Sequence, residues 1–142
     1  MPSLVPEGFQ PLTMSSGFID MLGPFYWKDA EGGLFLFGFE SSEKHGNPNG
    51  VVHGAAFAAL VDTCMGHAIE NSTGRKCATI ALDTQFVAGG KVGGWIEART
   101  RIRKMTKTLA FLESEVFAEG ALVMTATAIF RVFSVAAEHG RA

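Results

Sequence analysis

Two cysteines are all the chain has in 142 residues, Cys64 and Cys77, and they show neither CxxC spacing nor a neighbouring ligand pattern. That scarcity excludes a disulfide framework and gives no ground for a metal or redox site. Both read as small buried hydrophobes in a reducing compartment. Charge of one sign is also missing. Twelve Lys+Arg against 14 Asp+Glu leave a net charge of −2, which gives no general pull toward nucleic acid or an anionic membrane. No uninterrupted apolar run reaches the ~18 residues that a membrane span needs. The start, Met1-Pro2-Ser3-Leu4-Val5-Pro6-Glu7, lacks a basic region followed by an apolar core, so no secretory leader is expected. Repeats and low-complexity segments are absent. The expectation is a cytoplasmic protein with no metal and no redox cofactor.

Apolar residues, by contrast, are plentiful: 47% of the chain, with 12 Phe. The length suits one domain, which buries roughly 68–70% of the surface of its unfolded chain. Apolar surface beyond one core is commonly buried between subunits, so an oligomer is expected. The expected organisation is an N-terminal arm over 1–14, a domain over 15–134 and a tail over 135–142.

Punctuation along the chain sets the elements. Ser15 or Ser16 is placed to cap a short helix that Gly23-Pro24 ends. Phe25-Tyr26-Trp27 and Leu34 to Phe39 read as a hairpin around Asp29-Ala30-Glu31-Gly32-Gly33. Ser41 to Val52 carries Gly46, Pro48, Asn49 and Gly50 and reads as loop. From Gly54 to about Asn71 the pattern is a helix buried on most of its surface, ended by Thr73-Gly74. Strands follow. Thr79 to Val87 alternates with Ile80, Leu82, Thr84 and Phe86 on one side. Trp95 to Arg103 sets Ile96, Ala98, Thr100 and Ile102 against Glu97, Arg99, Arg101 and Arg103. Leu109 to Phe117 carries Glu113 and Glu115, able to pair across the hairpin with the arginines. Leu122 to Phe133 is the last strand. The order predicts an α+β fold: about six antiparallel strands wrapped around one helix, with short hairpins after the helix.

The chemistry concentrates in His45-Gly46-Asn47-Pro48-Asn49-Gly50-Val51-Val52-His53-Gly54 and the helix behind it. The first turn of a helix has N–H groups without internal partners and a positive dipole end. An N–H at Gly54, with no side chain in the way, suits the oxyanion that forms when a thioester carbonyl is attacked. The same glycine also suits close packing of helix on sheet. Asp62 is a lone acid among Leu60, Val61, Cys64 and Met65. It either ties helix to sheet by hydrogen bonds or acts as base or nucleophile. Eight residues of helix are about 12 Å of rise, so Gly54 and Asp62 of one helix do not meet at one carbon. A two-fold dimer with antiparallel helices would bring them together across the interface. Asn47 can place water or a leaving group, or simply fold its own loop. His45 and His53 invite a base role, although His53 also suits a loop anchor; His67 reads as helix surface or core. Thr79 can hold water or serve only as a strand residue.

Asn47, Gly54 seven residues later and Asp62 eight residues after that resemble the pattern of hotdog-fold acyl-CoA thioesterases of the PaaI type. Thr106-Lys107-Thr108-Leu109-Ala110-Phe111 is similar to that family's later hairpin. The resemblance runs from about Gly17 to Phe133. It implies hydrolysis of acyl-CoA to free acid and coenzyme A. Gly54 would polarise the carbonyl, Asp62 from the other subunit would drive hydrolysis, and Asn47 and Thr79 would assist. It implies coenzyme A contacts at the hairpin, with Lys104, Lys107 and Thr108 as candidates and Arg75 and Lys91 behind them. It also implies a homodimer or homotetramer. Two departures stand out: Ala55 where a second Gly is usual, and Thr106 where a Gly is common. Rival readings are an enoyl- or hydroxyacyl-thioester hydratase or dehydratase using His53, and an acyl-CoA-binding oligomer without turnover.

Overall fold

Twenty residues without proline, Gly54–Thr73, form one long helix, α2. Its buried residues are Ala56, Phe57, Leu60, Val61, Cys64, Met65, Ala68 and Ile69, a stripe at three- and four-residue spacing. The opposite side is small, with Ala58, Ala59, Asp62 and Gly66 half-buried and Ala55 exposed. Only Ala55, Asn71 and Ser72 of the helix are exposed, so α2 is covered over most of its surface and most fully on the side of this stripe. Gly74 ends α2 in the left-handed region at φ 72°, donating its N–H to the Glu70 carbonyl.

Residues 3–13 and 17–134 are described by the structure, a computed structural model. A seven-stranded sheet wraps α2: β1 Gln10–Pro11, β2 Tyr26–Ala30, β3 Leu34–Glu40, β4 Cys77–Phe86, β5 Trp95–Met105, β6 Leu109–Ala118 and β7 Ala121–Val132. A short helix, α1, spans Phe18–Leu22. The two serines considered as its cap are outside the described residues, as is the tail from 135. Adjacent strands are antiparallel in the order β1-β2-β3-β5-β6-β7-β4. This is the hotdog arrangement. The seventh strand comes from the segment read as an arm. Gln10 and Pro11 pair with Trp27 and Tyr26, and the Leu12 N–H bonds the Phe25 carbonyl.

Two expectations need correction. The strands after α2 are not four consecutive hairpin neighbours. β4 lies at the far edge beside β7, and residues 87–94 cross the end of the sheet to reach β5. The crossing passes beneath Phe57: a methyl on Gly90 would stand 3.4 Å from its ring and 3.0 Å from Ala118. Alternation identifies inward residues but not strand neighbours. Second, β4 does not alternate strictly. Thr79 pairs with Phe130 and Ala81 with Ile129, leaving Ile80 as the extra residue of a bulge, 57% exposed. The bulge shifts the phase, so Thr79 reaches α2 while Leu82 still packs on the core.

The β5–β6 register follows the charge pattern. Arg99 faces Glu115, Arg101 faces Glu113, and Arg103 Nη1 meets Glu113 Oε1 at 2.7 Å. Phe37, Phe39, Phe57, Leu60, Met65 and Ile96 are among the fully buried side chains between sheet and helix.

Candidate active site

The loop before α2 is built around a buried imidazole. His45 is 3% exposed. Its Nδ1 accepts the Ser42 N–H at 2.9 Å, and its Nε2 faces the Leu22 carbonyl at 2.6 Å. An N–H on one side and a carbonyl on the other assign the proton to Nε2 and leave the ring neutral. Burial also pushes its pKa down. The His45 carbonyl then accepts the His53 N–H at 2.7 Å. His45 is thus the post of the loop, not a catalytic base.

Asn47 folds the tip. Its Oδ1 accepts from the Asn49 N–H at 2.8 Å and the Val51 N–H at 3.4 Å. Its amide oxygen is thereby occupied locally, and only the NH2 can point to a ligand. His53 caps α2: Nδ1 accepts the Ala55 N–H at 3.0 Å, and its carbonyl accepts from Ala56. His53 thus anchors the start of α2. With Ala55 and Ala56 engaged, the Gly54 N–H meets no acceptor among the described residues. It is the open donor of the first turn. A methyl on Gly54 would stand 2.8 Å from Phe86 Cε1. The glycine is therefore needed twice, for access and for this aromatic ring, which is itself 56% exposed.

Asp62 is half-buried on the outward side of α2, not in the core. Thr79 Oγ1 donates to its Oδ1 at 2.6 Å. Both line a cavity of about 320 Å³ shared with Thr63, His67, Cys77 and Phe130. His67 packs between Trp27 and Phe37, with ring centroids 4.6 and 5.0 Å away, and burial pushes its pKa down. Burial raises the Cys64 thiol to about 12 and the Cys77 thiol to about 11.

Two groups of candidate residues thus lie apart along α2 and β4: Gly54 with Phe86 where α2 starts and β4 ends, and Asp62 with Thr79 near the middle of α2 and the start of β4. Lys104, Lys107 and Thr108 are exposed at the β5–β6 turn. That turn lies at the Thr79 end, because the Val132 N–H bonds the Thr108 carbonyl and Val132 faces Cys77. Lys91 belongs to the other end, bridged to Val51. Arg75 has its guanidinium on the carbonyls of Phe133, Lys107 and Val132, so it is a strut rather than a free cation. Sequence reasoning passed over Phe86 as an ordinary strand residue. Nothing in the period-two pattern marks a ring that lands on a helix start.

Residues 49–125 match the profile of the thioesterase superfamily. A protein of Pseudomonas aeruginosa named as a candidate esterase is 33% identical over 130 residues, which cover 90% of this chain and 97% of that protein. Among solved structures, zebrafish thioesterase superfamily member 2 superposes with a TM-score of 0.76 at 24% identity, over 84% of this chain and 89% of its own. A mutant of PaaI, a phenylacetic acid degradation protein of Thermus thermophilus, does so with 0.73 at 22% identity, over 82% and 98%. At these identities the two structures speak to the fold.

Proposed function

Because this chain belongs to the thioesterase superfamily, we propose that it hydrolyses acyl-CoA thioesters to a free carboxylic acid and coenzyme A. It does so as a homodimer or homotetramer with its sites between subunits. The observation that carries this reading is the pair of half-sites. Gly54 offers an open N–H where a developing oxyanion would sit, and Asp62 offers a carboxylate oriented by Thr79. Eight helical residues, about 12 Å, separate them in one chain. β4 is an edge strand, and Ile80, Phe86 and Val87 on or beside it are 57, 56 and 53% exposed. Such an edge invites a second strand. A copy added antiparallel along β4 lays its Gly54 near Asp62, so each interface completes two sites.

The chemistry follows from the groups. Asp62 takes a proton from water as the water oxygen bonds to the thioester carbon. The carbonyl electron pair moves onto oxygen and is met by the Gly54 N–H of the partner subunit. Collapse restores the carbonyl, breaks the C–S bond and returns the proton from Asp62 to the departing thiolate. Direct attack by the Asp62 carboxylate on the thioester carbon uses the same placement. The C–S bond breaks and coenzyme A leaves as thiolate. Water then opens the mixed anhydride to free acid and the Asp62 carboxylate, and the proton given up by that water goes to the thiolate. His53, with Nδ1 bound to the helix, has no carboxylate partner among the described residues, which weighs against the hydratase reading.

The test is thiol release from a panel of aliphatic and aryl acyl-CoAs, with wild type beside Asp62→Asn. Wild type should cleave at least one thioester. The folded variant should lose roughly 10²–10⁴ in rate, the range for removing a positioned acid–base group. No cleavage, or a variant as fast as wild type, overturns the reading.

A further inference from the structure

The reaction makes no use of the side chain that follows α2. Gly74 turns the chain, and the Arg75 N–H bonds Thr73 Oγ1 at 3.0 Å. From there Nε donates to the Phe133 carbonyl at 2.5 Å, and Nη2 donates to the carbonyls of Lys107 at 2.9 Å and Val132 at 3.3 Å. The Phe133 N–H returns to the Lys76 carbonyl at 2.9 Å. One half-buried guanidinium thus ties the helix end, the end of β7 and the β5–β6 turn. Lys107 is in the tip of that turn, which Thr106 closes onto Leu109.

Charge gathers around the same tip. Lys104 and Lys107 are exposed, and neither has an acidic partner among the described residues. Arg131 stands opposite Leu109 in the ladder and has none either. The nearby cations Arg103 and Lys76 are by contrast paired with Glu113 and Glu70. A chain of net charge −2 therefore leaves unpaired positive charge at one hairpin, and that hairpin is held from behind by a planar fork.

We propose that Arg75 is a positioning residue for the nucleotide half of the substrate. It acts through the Lys107 carbonyl, without touching the ligand, and so holds the tip where Lys104 and Lys107 meet phosphate. This rests on the acyl-CoA reading above. A short exposed turn opens readily on its own, and ordering it at the moment of binding lowers affinity. The guanidinium reaches the three carbonyls through Nε and Nη2 held in one rigid plane; a lysine ammonium at the same place keeps the charge and loses the fork.

The experiment measures calorimetric binding of free coenzyme A and of pantetheine, which lacks the nucleotide, to wild type, Arg75→Lys and Lys107→Ala. It adds kcat and KM on an acyl-CoA and on the matching acyl-pantetheine. For Arg75→Lys, Kd for coenzyme A and KM for acyl-CoA should rise about fivefold, the effect of losing pre-order in one or two side chains. kcat and both pantetheine values should stay within about twofold. Lys107→Ala should show the same split. Unchanged coenzyme A affinity in Arg75→Lys overturns the inference. So does a loss shared equally by pantetheine and kcat, which would mark general loosening, or a wild type with no affinity for coenzyme A. A wild type that binds coenzyme A with this Arg75 dependence but releases no thiol overturns hydrolysis and leaves the positioning role standing.

Discussion

Asp62 and Thr79 show how much one hydroxyl decides. A carboxylate on the outward side of α2 is free to rotate unless something holds it, and the 2.6 Å bond from Thr79 Oγ1 does so. Hydrogen bonds to charged groups contribute about 1.5–3 kcal/mol, or roughly ten- to a hundredfold in a rate that depends on that orientation. Thr79→Val keeps shape and strand preference and removes only the donor. Its kcat should therefore fall by roughly tenfold or more, while the melting temperature drops by no more than several degrees. Equal kcat values in a side-by-side assay would show that Thr79 is only a strand residue. Asn47 and Gly54 have contrasting outcomes at this scale. Asn47 has its amide oxygen occupied by its own loop, whereas Gly54 keeps an open N–H.

The loop before α2 depends on one neutral histidine. A protonated His45 could no longer accept the Ser42 N–H at Nδ1. Burial lowers its pKa in the folded chain, while the unfolded chain titrates near the ordinary value of about 6.5. The folded state then binds fewer protons than the unfolded one below that pH, so stability is complete above about 6.5 and falls as pH drops. His67, lowered by burial as well, adds in the same direction. The melting temperature should thus decline from pH 7.5 to 5, and the decline should be smaller in His45→Gln. A variant with the same pH slope as wild type would place the effect elsewhere. β4 teaches a related lesson about elements: a single bulge at Ile80 turns Thr79 toward the helix without disturbing Leu82.

At the scale of the whole molecule, the proposed reading divides each site between two copies of the chain. If each site takes Gly54 from one subunit and Asp62 from the other, then Asp62→Asn and Gly54→Val fail separately and rescue each other. Reassembly of an equal mixture should make half the dimers mixed, each with one intact site of two. That is about a quarter of wild-type activity. Activity no higher than that of either parent would place the site within one subunit. The same experiment run by sedimentation reports whether the β4 edge holds a dimer at assay concentration.

Much of this was legible beforehand, for reasons that lie in local chemistry. Glycine and proline punctuation marked the loop from Ser41 and the end of α2 at Thr73-Gly74. Period-two alternation assigned the faces of β5 and β6, and opposite charges set Arg101 against Glu113. The spacing of Asn47, Gly54 and Asp62 is a property of the chain alone, as is the 12 Å that keeps the last two apart. Other features depend on contacts between distant segments. The placement of β4 beside β7, the ring of Phe86 on Gly54, the His45 bond to Leu22 and the Arg75 strut to Lys107 join residues 23 to 55 positions apart. No local period encodes such pairings. They arise when the sheet closes around the helix and buried polar groups find the partners that water can no longer supply.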